Sequence, residues 1–332
     1  MQPQNEVIAI EDVREAARRL APYVVKTPLL ESPFLNQLAG RRILVKAECL
    51  QKTGSFKFRG AWSAISALND AEKEKGVLAY SSGNHAQGIA QAAAIAGIKA
   101  VIIMPNDAPK LKLANTRAMG AEVVTYDRPG GENREAIGLE LSKQRGLHLI
   151  KPYDHPMVMA GQGTCGLEMA EQAGELGIQE ADVLVCCGGG GLTSGVALAM
   201  EADAPGFRVR PVEPQYYDDV IRSLEPGERQ FVTDYPPSIC DAIVTPSPGE
   251  LTFPIIKRLC KPGLTVTDDE ALKAMGLALQ RLKVAAEPGG SVALAAALFH
   301  SDKLSGDTVI CVLSGGNSDS DTLTAALNSL QH

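Results

Sequence analysis

The segment ADVLVCCGGGGLTSGVALAMEA, residues 181–202, decides the fold. It opens with a short apolar run rich in valine, which is typical of a strand buried in a sheet. A glycine run and a leucine then lead into a helical stretch: Gly188, Gly189, Gly190, Gly191 and Leu192. Because consecutive glycines cost conformational entropy, close approach of the backbone to a ligand such as phosphate is favoured over a simple turn. The run matches neither the GxGxxG pattern of dinucleotide-binding proteins nor the GKS or GKT ending of a Walker loop.

Six further apolar runs each precede a segment with helical periodicity. They cover residues 43–48, 76–81, 100–105, 121–127, 208–213 and 307–314. This alternation predicts an α/β fold with mainly parallel sheet. The segment 84–99 is apolar nearly all round and Gly97 lies close to its end, so we expect a helix that is buried against the sheet.

The composition predicts an ordinary globular protein. The chain has 332 residues, 45% hydrophobic and 21% charged, which is enough for a well-buried core. Its net charge of −7 and the lack of a long Lys/Arg run argue against a nucleic-acid partner. Residues 1–20 contain acids and no unbroken apolar stretch, which predicts no signal peptide, no membrane anchor and a cytoplasmic location. The seven cysteines lie mostly in apolar runs, as expected of buried free thiols.

Three more loops combine glycines with small polar residues: KTGSFKFRGA at 52–61, SSGNHAQG at 81–88 and LSGGNSD at 313–319. In open α/β sheets, ligands collect beyond the carboxyl ends of the strands. The loop at 81–88 precedes the buried helix, whose N-terminus favours an anion such as a carboxylate. Taken singly, Lys57 is also compatible with a solvated lysine, and Ser82 or Asn84 with a helix N-cap.

The order and spacing of the four loops resemble the fold-type II pyridoxal-phosphate enzymes, in the branch of threonine/serine dehydratases and serine racemases. The resemblance covers about residues 10–325. It implies two open, twisted, mainly parallel sheets flanked by helices, as in the tryptophan synthase β subunit. It also implies a large cofactor-binding domain, residues 1–52 and 154–332, and a smaller mobile domain, residues 53–153, with Lys57 near their junction.

The resemblance also implies a role for each residue of the cofactor site. Lys57 is expected to carry pyridoxal 5'-phosphate covalently and to act as the base at the substrate Cα. The backbone amides of the glycine run and Leu192 are expected to hold the phosphate. The remaining contacts are Phe56 beside the cofactor, Asn84 at the ring oxygen, Ser314 at the ring nitrogen and Glu287, from EPGG, near the ring.

The substrate side follows from the same resemblance. Ser81, Ser82, Asn84 and His85 are expected to receive the α-carboxylate, with Ser82 on the face opposite Lys57, where racemases of the family have a second proton-transfer group. Arg134 falls where serine racemases of the family place an arginine near the substrate, and a guanidinium there suits a second carboxylate. The alternative for Arg134 is a surface ion pair with Glu132 or Glu135. In the loop CDAIVTP, Ala242 replaces the glycine that relatives usually have.

The segment VEPQYYDD, residues 212–219, resembles the family's cation site. Glu213 and Asp219 would supply carboxylates and Tyr217 its carbonyl oxygen. Oxygen ligands suit Mg²⁺, with Ca²⁺ or Mn²⁺ as the other candidates. The alternative is a pair of acids on a solvated loop.

The expected activity is that of a lyase, a dehydratase or ammonia-lyase. It would eliminate water from threonine, serine or 3-hydroxyaspartate to give a 2-keto acid and ammonia. A serine or aspartate racemase is the enzymatic alternative, and a phosphate-ligand binding protein is the non-enzymatic one. A β-replacement synthase is disfavoured, because the chain has SSGNHAQ where that branch has TSGNTG. The family expectation for assembly is a homodimer, with small amino acids as the other partners.

Overall fold

The structure is a computed structural model that describes residues 7–81, 83–108 and 110–331. Within these residues the strands form two sheets. In chain order they are β1 (Leu29–Glu31), β2 (Arg42–Ala47), β3 (Val77–Tyr80), β4 (Ala100–Pro105), β5 (Glu122–Tyr126), β6 (His148–Leu149), β7 (Ala181–Cys186), β8 (Phe207–Pro214), β9 (Leu264–Val266) and β10 (Thr308–Leu313).

The two sheets divide the strands by their place in the chain. The larger sheet has the order β1-β2-β10-β7-β8-β9 and the smaller one β5-β4-β3-β6. All neighbours are parallel except β1 and β2. The predicted α/β fold with two mainly parallel sheets is therefore confirmed. All seven predicted runs are strands, whereas the two- or three-residue strands β1, β6 and β9 were missed, because they are too short to form an apolar run.

Helices flank both sheets. The α-helices are α1 (Ile10–Leu20), α2 (Pro33–Ala39), α3 (Lys57–Ser66), α4 (Asp70–Lys75), α5 (Asn84–Ala96), α6 (Lys110–Ala118), α7 (Arg134–Arg145), α8 (Pro156–Glu175), α9 (Gly191–Asp203), α10 (Asp219–Leu224), α11 (Thr252–Leu259), α12 (Asp268–Leu277), α13 (Pro288–Phe299) and α14 (Ser320–Asn328). As predicted, α5 is buried and stops at Gly97, which adopts φ +69°.

Other expectations from the composition can be compared with the described residues. The seven cysteines are free thiols, and six of them are buried, as predicted. Among the described helices, none has the length and apolar character that a membrane crossing requires. The strands of the smaller sheet all lie between residues 77 and 149. The domain boundaries at 52/53 and 153/154, and the mobility of the smaller domain, stay predictions.

A buried network of charges fixes α3, the helix that begins at Lys57. Arg59 is fully buried, and two carboxylates surround its guanidinium. It donates from Nε and Nη2 to Glu48 at 2.8 Å each, and from Nη1 and Nη2 to Glu168 at 2.7 and 2.8 Å. Lys46, also fully buried, donates to the same Glu168 at 2.6 Å. The network therefore joins β2, α3 and α8.

The network balances its charges, since two cations face two carboxylates. The nearby positive charges lower the pKa of Glu48 in spite of the opposing effect of its complete burial. Thr27 donates its hydroxyl to Glu48 at 2.5 Å, which occupies a further lone pair. A buried charge that loses its counter-charge is strongly destabilising, so we expect each member to be needed.

The substitution Glu48→Gln should lower the free energy of unfolding by about 3 kcal/mol, because it leaves Arg59 and Lys46 with one carboxylate between them. Urea denaturation of the purified protein measures this. The control is Asp203→Asn, which breaks the exposed pair with Arg14 and should cost under about 1 kcal/mol. Equal losses in the two variants would contradict a structural role for the buried network.

Candidate active site

One cavity collects most of the predicted site residues. It lies where α3 begins and where loops follow β3, β7 and β10. The predicted residues that line it are Phe56, Lys57, Ser81, Asn84, His85, Arg134, Gly188, Gly189, Gly190, Gly191, Leu192, Glu287 and Ser314. Ser82 lies outside the described residues. Glu213, Tyr217 and Asp219 do not line the cavity but lie on a neighbouring segment of β8 and α10.

The glycine run forms a cradle of backbone amides at the start of α9. Within the described part of the chain, the amides of residues 188–193 donate to no protein acceptor. Gly190 has φ +91°, a conformation that disfavours other residues. A Cβ on Gly189 would lie 2.2 Å from the ring of Tyr153. Unpaired amides at a helix N-terminus, with no room for side chains, fit a phosphate group.

Lys57 is half-buried in the wall of the cavity, and no carboxylate of the described residues is bound to its ammonium. Its Nζ donates to the carbonyl oxygen of Pro152 at 2.9 Å and lies 5.1 Å from the centre of the Phe56 ring. Burial lowers the pKa of Lys57 to about 8, while the charge of Glu287 acts in the opposite direction. A substantial fraction of the amine is therefore free to act as a nucleophile or base near neutral pH.

A chain of side-chain hydrogen bonds orients Asn84 at the start of α5. Its Nδ2 donates to Glu287 Oε1 at 2.5 Å, and its Oδ1 accepts from Nδ2 of Asn317 at 2.8 Å. Glu287 is buried and packs so closely on Gly315 that a Cβ there would lie 2.0 Å from Oε1. Asn84 is thus fixed in one orientation at the edge of the cavity.

Ser314 joins the end of β10 to the start of α3. Its carbonyl oxygen accepts from the amide of Phe56 at 3.0 Å, and its own amide donates to Gly290 at 3.1 Å. Ser314 is buried next to Cys186, whose thiol lies at the end of β7. The structure therefore places the serine, the lysine loop and the glycine loop at the same edge of the larger sheet.

The imidazole of His85 is uncharged at neutral pH. Burial, and to a smaller extent the charge of Lys57, lower its pKa to about 3. Its Nε2 lies 3.0 Å from the carbonyl oxygen of Ile150, which can accept a hydrogen bond only if Nε2 carries a hydrogen. The buried Nδ1, which then has no proton and has no partner among the described residues, cannot donate to a carboxylate. Any contact of residue 85 with the substrate carboxylate therefore depends on its backbone amide.

Arg134 is the first residue of α7 and lies at the outer wall of the cavity. Its guanidinium is 5.7 Å from the centre of the Tyr80 ring. Its side chain is exposed, and among the described residues it pairs with neither Glu132 nor Glu135. The structure therefore does not show the alternative surface ion pair, and the substrate contact of Arg134 stays a prediction. Glu132 instead accepts from the amide of Asp127 at 2.5 Å. The guanidinium is therefore available to an anionic ligand.

The loop with Ala242 lines the same cavity. Asp241, Ala242, Ile243 and Thr245 all contribute to the wall. A Cβ on Gly289 would lie 3.4 Å from the Ala242 methyl group. The extra methyl group therefore occupies space that a glycine would leave open.

The predicted cation ligands form a separate buried pair. Both oxygens of Glu213 accept backbone amides, from Val220 at 3.0 Å and Ile221 at 2.8 Å. Asp219 is buried, and neither of its carboxylate oxygens has a partner among the described residues. Burial raises the pKa of both groups, that of Asp219 to about 7. The alternative of two acids on a solvated loop is therefore wrong.

Whether this pair fits a cation depends on its donors. Across the described residues, no group of three or more His, Cys, Asp and Glu side chains is arranged around a metal position. The unsatisfied oxygens of Asp219 are the kind of donor that Mg²⁺ binds, with waters completing its shell. The residues present therefore fit a cation that is held by few protein ligands.

Sequence reasoning assigned no role to several residues that line the cavity, among them Tyr80, Gln162, Pro152 and Tyr153. Tyr153 packs on the glycine run, and the carbonyl of Pro152 accepts from Lys57. Both belong to KPYDHP, residues 151–156, which follows the two-residue strand β6. The tyrosine and prolines of this loop could have indicated a binding site. The preceding strand has only two residues and was not predicted, so the loop was not recognised as one that follows a strand.

The comparisons with known proteins agree with this geometry. Residues 20–315 match the family model described as pyridoxal-phosphate dependent enzyme. The chain is 44% identical to L-threo-3-hydroxyaspartate ammonia-lyase of Saccharomyces cerevisiae, over 93% of each chain. It is 43% identical to serine racemase of Schizosaccharomyces pombe, over 93% of this chain and 94% of that one.

A solved structure extends the similarity to three dimensions. A crystal structure of threonine deaminase from T.th. superposes with a TM-score of 0.88 at 47% identity, over 94% of this chain and 99% of that one. The sequence, the fold and the loops around Lys57 thus all agree with the predicted resemblance. The chain therefore belongs to the pyridoxal-phosphate dependent enzymes of fold type II, in the branch of threonine/serine dehydratases and serine racemases.

Proposed function

We propose that the chain is a pyridoxal-phosphate dependent dehydratase that removes water from a small β-hydroxy-α-amino acid. The products are a 2-keto acid and ammonia. The observation that carries this proposal is Lys57, an amine with its pKa lowered to about 8 in a cavity lined by a cradle of amides. The yeast relative named above is itself an ammonia-lyase.

Different residues of the cavity would bind different parts of the cofactor. The amides of residues 188–192 would receive its phosphate, Asn84 would donate toward the ring oxygen, and Phe56 would pack beside it. When bound, the cofactor withdraws electrons from the substrate Cα and makes its proton acidic. Ser314 lines the cavity and would face the ring nitrogen, and its hydroxyl is too weak an acid to protonate that atom. This favours early loss of a β leaving group over transamination.

Lys57 carries the cofactor and then acts as the base in our proposal. Its Nζ accepts the proton from the substrate Cα and returns it to the β-hydroxyl group, which leaves as water. The resulting enamine of the amino acid hydrolyses in water to the keto acid and ammonia. The N-terminus of α5, with Ser81 beside it, holds the α-carboxylate in position.

The substrate that fits the cavity best is 3-hydroxyaspartate, whose second carboxylate would bind Arg134. The guanidinium lines the cavity and has no ion-pair partner among the described residues. Arginine binds a carboxylate through two parallel hydrogen bonds, which gives strength and orientation. Threonine and serine, which lack this group, would depend on the α-carboxylate contacts alone.

Covalent attachment of the cofactor should depend on Lys57 and on pH. Apo-protein that is incubated with pyridoxal phosphate and reduced with borohydride should gain the cofactor mass at Lys57. The initial rate should rise with pH, with a midpoint near pH 8, because only the unprotonated amine attacks the carbonyl. Lys57→Ala should gain no mass, whereas Lys52→Ala, the exposed neighbour, should behave as the parent protein. A midpoint near pH 10 would contradict the lowered pKa.

The substitution Arg134→Met should lower kcat/KM for L-threo-3-hydroxyaspartate by about 10- to 100-fold relative to L-serine, because a charged hydrogen-bond partner is lost. Keto-acid and ammonia release measure both reactions. The control is Arg145→Met at the other end of α7, where the arginine pairs with Glu122. An equal fall for the two substrates would contradict a second-carboxylate contact. Absence of release from every β-hydroxy amino acid would overturn the dehydratase proposal.

A serine racemase is the second candidate, because the Schizosaccharomyces pombe relative has that activity. Racemisation needs a second proton-transfer group on the face opposite Lys57, and Ser82 is the residue that the family resemblance assigns to it. The two activities can coexist in one cavity. Formation of D-serine in the assays described above, and its loss in Ser82→Ala, would identify the racemase activity.

We further propose that Asp219, with Glu213 and the carbonyl of Tyr217, binds a divalent cation, with Mg²⁺ as the first choice. The support is the buried carboxylate of Asp219, whose oxygens lack partners within the described residues. A cation there would remove the repulsion between the two acids, which raises the pKa of Glu213. It would thereby stabilise the segment between β8 and α10.

Added Mg²⁺ should raise the thermal unfolding midpoint by about 3 °C or more at saturating concentration, because it binds only the folded protein. The substitution Asp219→Asn should abolish this shift. Glu225→Gln, at the exposed end of the same helix, should leave it intact. The cation site is wrong if Asp219→Asn responds to Mg²⁺ as fully as the parent protein.

The assembly and location of the protein also stay proposals. We propose a homodimer in the cytoplasm, with domains at residues 1–52 and 154–332 and at 53–153. Support for self-association comes from α2, where Phe34 and Leu38 are 62% and 53% exposed. Apolar surface of this kind is suited to a second copy of the chain.

A further inference from the structure

We propose that Tyr80 is the positioning residue that gives the site its selectivity for a second carboxylate, because its ring holds Arg134 at the cavity wall. The inference rests on the proposed function and deepens it. The guanidinium carbon lies 5.7 Å from the ring centre, and Tyr80 is only 4% exposed. A cation at this distance from an aromatic face is attracted by the ring's negative charge distribution.

The backbone fixes the ring and the guanidinium independently. Tyr80 is the last residue of β3, directly before the loop that lines the cavity. Arg134 is the first residue of α7, and the side chain of Asn133 caps that helix through two backbone amides. One turn later, a Cβ on Gly138 would lie 3.1 Å from the Tyr80 ring. The helix that carries Arg134 is thus packed on the ring itself.

Arg134 needs such a partner, because acids compete for it on the solvent side. Its side chain lines both the cavity and an outer pocket, and Glu132 and Glu135 line that outer pocket too. An ion pair with either acid would draw the guanidinium away from the substrate. In the structure Glu132 accepts from the backbone of Asp127 instead. Among the described residues Glu135 forms no ion pair with Arg134 either, and the contact with the Tyr80 ring opposes this outward movement.

An aromatic partner has a chemical advantage over a carboxylate. A carboxylate would neutralise Arg134 and occupy its donors, so that a substrate would have to displace it. The face of a ring leaves the five N–H donors and the full charge free for a ligand. A dicarboxylate amino acid gains from this arrangement, and a neutral one does not. Tyr80 would therefore act on discrimination between substrates rather than on the chemical step.

The test measures binding apart from dehydration. L-Aspartate and L-alanine lack a β-hydroxyl group and cannot lose water, so their Kd values for the cofactor-loaded protein are read from the change in visible absorbance without keto-acid formation. We expect the parent protein to prefer L-aspartate. Tyr80→Leu should reduce this preference by about threefold to tenfold, whereas Tyr80→Phe, which keeps the ring, should retain it to within about twofold.

A double variant tests whether Tyr80 acts through Arg134. In an Arg134→Met background, Tyr80→Leu should change the aspartate-to-alanine preference by no more than about 1.5-fold, because the cation is already absent. A reduction as large as in the parent protein would overturn the inference. If Tyr80→Leu fails to fold, a series of fluorinated phenylalanines at position 80 withdraws charge from the ring at nearly constant shape. A preference that stays constant along that series would also overturn it.

The outcomes separate the inference from the proposed substrate. A parent protein that prefers L-aspartate, with a preference unaffected by Tyr80→Leu, would retain the Arg134 contact and overturn the role of Tyr80. A parent protein without any preference would overturn both the second-carboxylate contact and this inference. Dehydration of L-serine or L-threonine in that case would still uphold the broader dehydratase assignment.

Discussion

The buried pairing of Arg59 with Glu48 and Glu168 is the interaction on which the site depends. Arg59 lies two residues after Lys57 in the same helix, so the position of the reactive amine follows from that of the guanidinium. The two carboxylates come from the end of the β2 strand and from α8, parts of the chain more than a hundred residues apart. Such a network is stabilising only when every charged group has its partners in place. It therefore allows α3 only one position relative to β2 and α8.

Parallel strands then bring the remaining groups to that amine. The loops after β7 and β10 emerge at the same edge of the larger sheet, and the loop after β3 emerges from the smaller sheet toward the same cavity. Local hydrogen bonds complete the arrangement, such as that from the Phe56 amide to Ser314. Each loop is short and contains glycines and small polar residues, so backbone amides and small polar groups line the cavity, with few charged side chains. That environment suits a ligand that brings its own phosphate and carboxylate groups.

The parts that the sequence predicted are those with a local signature. Apolar runs of six to eight residues identified seven strands, and the glycine run on its own indicated the amide cradle. The resemblance of the loops added Asn84, Ser314 and Arg134, which the structure brings to one cavity. The buried charge network and the contacts of Pro152 and Tyr153 escaped prediction. The bonds from Lys57 to Pro152 and from Arg59 to Glu168 join residues about 100 positions apart, and an isolated Arg or Glu in a sequence carries no sign of its distant partner.

Two opposing effects determine the pKa of Lys57. Burial alone would lower it further, and the carboxylate of Glu287 opposes that effect without touching the amine. A fully solvated lysine would stay protonated at neutral pH and be a poor nucleophile. A lysine in a wholly apolar pocket would be too weak a base to remove a proton from carbon. Glu287 also holds Asn84, so one buried carboxylate both raises the basicity of the buried amine and orients an amide side chain that lines the same cavity.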